Sequence, residues 1–164
     1  MIETVIEILE KAKNDIVANI QSAGITASGR TERSFRVEQY NGGVMLVAGG
    51  EDTAPIGTLE IGRAGGNVPQ NFTDIILGWM HEKGITEDPI PYKREPSEKW
   101  QPVYTPEERG EYKKAYFIAK KIKEKGTERN ENQRNDIYSS VIPDVLEDIK
   151  KVVFDYAVNA IKIN

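Results

Sequence analysis

No cysteine occurs in this 164-residue chain. Disulfides, thiolate catalysis and every cysteine-based zinc or iron–sulfur site are thereby excluded. Histidine is nearly absent too: His81 stands alone, too few for most metal sites. Positive charge is not in excess, since 22 Lys and Arg face 26 Asp and Glu for a net charge of −4. That balance lacks the electrostatic footprint of a dedicated nucleic-acid binder and leaves open only a local basic patch. A long apolar run is missing as well. The opening MIETVIEILEK carries acids early, and reads neither as a signal peptide nor as a membrane span. The expectation is a soluble single domain, 1–164, able to bury roughly 70% of its unfolded surface.

What is present is helical periodicity broken by one sheet. Ile2, Val5, Ile6, Leu9, Ile16, Val17 and Ile20 recur at three- and four-residue steps, which predicts a helix over 2–21, stopped by Gly24. Phe35 and Val37 alternate with Arg36 and Glu38, and Asn41–Gly42 then signals a hairpin into VMLVAGG. A third short strand is expected at 58–61, where Leu59 and Ile61 would share a face. Asn71 can cap a second long helix with a stripe of Phe72, Ile75, Ile76, Trp79 and Met80, ended by Gly84. TPEE at 105–108 is a capping box with proline at the first helical position, and opens a helix carrying Tyr112, Ala115, Tyr116, Ala119 and Ile122 to Gly126. A last helix opens at Pro143, with Val145, Leu146, Ile149, Val152, Tyr156, Ala160 and Ile161 on one face. The fold class is α+β: an N-terminal helix, a small antiparallel sheet of about three strands and three further helices, the stripes together forming one core.

Residues that could carry chemistry are few. TLEIGRAGGNVPQNF, 58–72, is glycine-rich, but GRAGGN lacks the lysine and the serine or threonine of a Walker loop, and Val68, Pro69 and Gln70 part it from the next helix. It reads as a turn. Glu51–Asp52 and Glu87–Asp88 are acidic pairs of the kind that can hold a cation or move protons, yet such neighbours in loops are ordinarily solvated. His81 has no cysteine or GxSxG serine to serve and reads as a boundary residue. Lys113, Lys114, Lys120, Lys121, Lys123 and Lys125 interleave with Tyr112, Tyr116 and Phe117, a pattern that can bind single strands. The aromatics there fall largely on the apolar stripe and the lysines opposite, which favours a solvated face. No nucleophile, base and orienting group occur together, so no enzyme is expected and no cofactor or metal is called for.

Between 86 and 105 lies a stretch with prolines at 89, 91, 96 and 102 and no apolar period, long for a loop inside a compact domain. Tyr92, Trp100 and Tyr104 sit on it. Aromatics on a proline-stiffened arm suit anchoring in a partner's pocket. The alternative is a segment that folds back over its own core.

In order, these parts resemble the tail-completion family, small head–tail joining proteins of tailed bacteriophages. SGRTERSFRV at 28–37, with Gly29 and Ser34, is similar to that family's Thr-Gly-x-Leu-x-x-Ser-Ile approach to the sheet. APIGTLEIGR at 54–63, with Glu60 and Gly62, resembles its strand ending in Glu-x-Gly-Thr. GWMHEKGI at 78–85, with Trp79 and Gly84, and FIAKKIKEKGT at 117–127, with Gly126 and Thr127, resemble its two helix ends. Thr31 stands where leucine is usual, and ERNENQRND follows Gly126–Thr127 in place of a proline–phenylalanine stretch. The resemblance implies a structural virion protein of the neck or tail, assembled in the host cytoplasm. Its partners would be copies of itself and neck, portal or tail proteins, with DNA only as passing cargo and no membrane. Two other readings stay open: a nucleic-acid accessory protein using the Lys-rich helix 113–125, and a small host adaptor module.

Overall fold

A computed structural model describes residues 1–26, 28–50, 56–94, 96, 97, 99, 101–128 and 134–162. The chain divides into two compact units, Met1–Gly62 with Glu128–Asn164, and Arg63–Thr127. Helix and antiparallel sheet are both present, as the α+β reading expects.

In the first unit, α1 (Ile2–Ser22) buries Leu9, Ala12, Ile16, Asn19 and Ile20, the predicted spacing. Gly29, with φ 72°, precedes the single turn α2 (Arg30–Arg33). Ser34 then ties the sheet's open end: its Oγ donates to Thr31 O (2.7 Å) and accepts from Gly49 N (3.0 Å). β1 (Arg36–Tyr40) and β2 (Gly43–Val47) pair antiparallel from Arg36↔Val47 to Tyr40↔Gly43, with the Asn41–Gly42 turn where expected. Phe35 is buried with Ile16, Ile20, Ala23 and Ile137, and Leu46 and Ala48 pack on this cluster. The last helix, α6 (Ile142–Lys162), runs antiparallel to α1, since Asn19 bonds to Ile137 and Ser140 while Ile8 and Asp148 line the other end of a cavity between the helices.

Two expectations fail here. Residues 58–61 form a helical turn, α3 (Thr58–Ile61), rather than a third strand. The turn serves Glu60, which is buried and accepts hydrogen bonds from Tyr138 N (2.6 Å) and Ser139 N (2.7 Å). Leu59 packs on the core cluster, whereas Ile61, its expected strand companion, is left 81% exposed. Gly62 closes the turn, donating to Thr58 O (3.0 Å). The second failure is α6, which contains no buried residue although its stripe is expected in the core. Val145, Ile149 and Val152 are half-buried, and Leu146, Tyr156 and Ile161 are exposed.

The second unit has a core of its own. α4 (Phe72–Glu82) and α5 (Pro106–Lys125) pack through Ile76 and Met80 on Ala115 and Ala119, with Phe72, Leu77, Ile85, Ile118 and Ile122 around them. Alanines four apart let the helices approach closely, so Met80 is fully buried. Gly84 and Ile85 close α4 by a paired C-terminal motif, Gly84 N to His81 O (3.0 Å) and Ile85 N to Met80 O (2.8 Å). Trp79, expected in the buried stripe, lies at its margin and is 37% exposed, because small residues on α5 draw in Ile76 and Met80 instead. Arg63 pairs with Thr127 as an antiparallel bridge, N to O at 2.9 and 2.7 Å. Gly126, φ 78°, permits this: a Cβ there would stand 1.9 Å from Arg63 O.

Met80→Ala is expected to destabilise the protein by about 2–5 kcal/mol, the usual loss for a buried methionine. Trp79→Ala should cost less than Met80→Ala. Urea unfolding of both variants checks the order, and a larger loss at Trp79 would reverse the assignment.

Candidate functional site

The Pro-rich segment meets the start of α5, and the capping box explains why that start is fixed. Glu108 N donates to Thr105 Oγ1 (3.2 Å) and Thr105 N to Glu108 Oε2 (2.8 Å), with Pro106 at the first helical position. From there Arg109, Tyr112, Lys113 and Tyr116 follow at one-turn spacing on one side of the helix.

The segment is laid against this side by several polar contacts. Ile90 N donates to Pro106 O (2.8 Å), and Lys114 Nζ reaches Thr86 O (3.3 Å) and the Glu87 carboxylate (2.5 Å). Gly110 lies directly beneath the segment: a Cβ there would come 2.2 Å from Asp88 O. Arg109 donates to Pro91 O (3.2 Å) and sets its guanidinium 4.5 Å from the centre of the Tyr92 ring. Tyr92 in turn donates its hydroxyl to Tyr104 O (3.0 Å). Tyr104 stacks on Tyr112 at 5.3 Å between ring centres and 23° between planes.

Two of the three candidate interface residues, Tyr92 and Tyr104, are therefore brought together on the chain's own α5. Trp100 lies outside the described residues. Tyr104 keeps 41% of its surface open and Tyr116 49%, so the aromatic faces are only partly used up. Beside them is a cleft of about 310 Å³ lined by Ile90, Tyr104, Arg109, Tyr112, Lys113 and Tyr116. Three tyrosines with two cations can stack on planar or proline-rich groups and attract anions.

Arg109 is the residue that sequence reasoning missed. Its one-turn spacing to Tyr112 and Tyr116 was a visible signal, but its partner Tyr92 is far off in sequence. Tyr112 and Tyr116, expected on the buried stripe, sit at its edge and face the cleft. The remaining motif residues hold backbone in place: Gly29, Ser34, Glu60 and Gly62 in the first unit, and Gly84, Gly126 and Thr127 in the second. Glu87 is engaged by Lys114, and His81 Nε2 lies 3.0 Å from the Glu111 carboxylate on the exposed faces of α4 and α5. Glu51 and Asp52 fall outside the described residues. Comparison with protein-family models, curated proteins and solved structures gives no match for this chain.

Arg109→Ala removes one hydrogen bond and one cation–aromatic contact, each worth about 0.5–1.5 kcal/mol. The expected result is a melting midpoint a few degrees lower, with faster proteolytic cutting between 90 and 104. Unchanged cutting would mean that Arg109 does not hold the segment down.

Proposed function

We propose that this chain is a structural, non-catalytic subunit of a tailed-phage virion, joining or completing the head–tail interface through protein–protein contacts. The observation that carries the contact role is α6. Along it Ile142, Leu146, Val153, Phe154, Tyr156 and Ile161 are between 46% and 74% exposed. An apolar face of that extent marks an interaction surface rather than scattered surface residues.

The phage assignment is supported by the motif resemblance. Residues quoted for it fall at element ends, where a family scaffold would need them: Ser34 at the sheet's open end, Gly84 after α4, and Gly126–Thr127 after α5. On this reading the chain binds copies of itself and neck, portal or tail proteins, in the virion and in host cytoplasm during assembly. No cofactor is needed, and DNA passes as cargo. Mass spectrometry of purified particles is expected to find the chain, and a nonsense mutation in its gene should leave heads and tails unjoined. Joined, infectious particles lacking the chain would overturn the proposal.

The cleft on α5 favours one second reading, contact with single-stranded nucleic acid. Arg109 and Lys113 flank the stacked Tyr104 and Tyr112, and Lys120, Lys121 and Lys125 are exposed further along the helix. Filter binding at several salt concentrations separates the readings. The structural proposal expects no retention at moderate salt, whereas steeply salt-dependent retention lost in Arg109→Ala/Lys113→Ala would favour the second.

A further inference from the structure

We infer that the cleft on α5 is a site for one nucleoside phosphate, its base stacked on Tyr116 and its phosphate held by Arg109 and Lys113. The inference deepens the second reading of that cleft, rests on the same residues, and is independent of the phage assignment.

Helix geometry assembles the two kinds of group. Arg109, Tyr112, Lys113 and Tyr116 follow α5 at three- and four-residue steps, and at roughly 100° per residue they fall within about a third of its circumference. Rings and cations therefore share one wall of the cleft, which Ile90 and Tyr104 complete.

Charge selects the class of ligand. None of the six lining residues is acidic, although the chain as a whole carries a net charge of −4. Glu87, Glu108 and Glu111 are engaged elsewhere, by Lys114, Thr105 N and His81, and Glu107 lies on the far side of the helix. Lys113 is exposed and has no hydrogen-bond or ion-pair partner among the described residues. Arg109 is already fixed, through one nitrogen by Pro91 O and through its plane by the Tyr92 ring, and its other N–H groups have no acceptor among the described residues. Cations preset in this way, with no acid among the lining residues to neutralise them, call for an anion.

The rings narrow the class further. Tyr104 and Tyr112 spend a face on each other, whereas Tyr116 meets Phe117 edge-to-face, at 5.6 Å and 70°, and keeps 49% of its surface open. A base can stack on such a ring whatever its identity. At about 310 Å³ the cleft stands at the lower end of ligand pockets, roughly 300–1,000 Å³, which suits one base with its phosphate and not a run of them. That unit is either free or part of a single strand, since the exposed Lys120 and Lys123 continue the same strip of α5.

Titration of the purified full chain with adenosine monophosphate, read by calorimetry and by NMR of the tyrosine rings, is expected to saturate at one ligand per chain. Lys113→Glu, with its circular dichroism retained, should weaken binding by about tenfold or more, and Lys113→Arg should keep most of it. Tyr116→Ala should weaken binding, while Tyr116→Phe, which preserves the platform, should not. No saturation in the millimolar range, unchanged binding in Lys113→Glu, or equal binding of phenyl phosphate or inorganic phosphate would each overturn the inference. Tighter binding of a short oligoadenylate, with the gain lost in Lys120→Ala/Lys123→Ala, assigns the unit to a strand, and equal affinities assign it to the free nucleotide; both results keep the site. Salt-dependent retention of a strand without binding of adenosine monophosphate would overturn this inference and leave the strand reading standing, whereas the converse would remove the strand reading alone.

Discussion

One carboxylate oxygen organises the first unit. Glu60 Oε1 accepts the amide protons of Tyr138 and Ser139, in a position from which water is largely excluded. Bringing a carboxylate out of water costs several kcal/mol unless donors meet it, and charge-assisted bonds to two amides are the compensation. On the other side of the same turn, Asn19 Nδ2 donates to Ile137 O at 2.8 Å. Ile137, held between the two, is fully buried and completes the cluster formed by Ile16, Ile20, Ala23 and Phe35. The turn at 137–141 leads directly into α6, so two polar side chains far away in sequence fix the point from which that helix sets out. α6 itself buries no residue, and these bonds at its base do work that its own stripe does not.

This arrangement explains which parts of the fold were legible in the sequence. Local signals were sufficient for α1, the Asn41–Gly42 hairpin, the capped start of α5 and the glycine end of α4, because each depends on residues within a few positions. TLEI at 58–61 was not legible, since its alternation suits a strand equally well and what selects a helical turn is the distant amide pair at 138–139. Periodicity also identified the apolar residues of α4 and α6 without saying which would find a neighbour. Trp79 lost its place to Met80 because Ala115 and Ala119 make the groove on α5 narrow. The α6 stripe stayed open because a stripe records a preference for burial and not the presence of a cover. In the candidate site, Tyr92 and Tyr104 could be picked out as unplaced aromatics, whereas the role of Arg109 needed the segment's path across Gly110.

α5 serves the second unit from two sides. Its small residues, Ala115 and Ala119, receive Met80, and its large ones, Tyr112 and Tyr116, turn toward the Pro-rich segment and the cleft. The segment is held mainly by polar bonds and ring contacts. Its described residues take no part in the Ile76–Met80 cluster, so their attachment and the integrity of that cluster are separate matters. Local opening of such a segment draws on fewer apolar contacts than opening the helix pair.

Arg63 and Thr127, the first and last residues of the second unit, are hydrogen-bonded to one another in both directions. The chain therefore enters and leaves that unit at neighbouring points, as a guest module does when spliced into a host. Replacement of everything between the two residues by a tight hairpin turn would leave the first unit's chain path closed, with every contact of Glu60, Asn19 and Ile137 still encoded. Such an architecture lets insertions accumulate on one side of the seam while the sequence on the other side stays in register, and the clasp at Arg63–Thr127 marks where that seam runs.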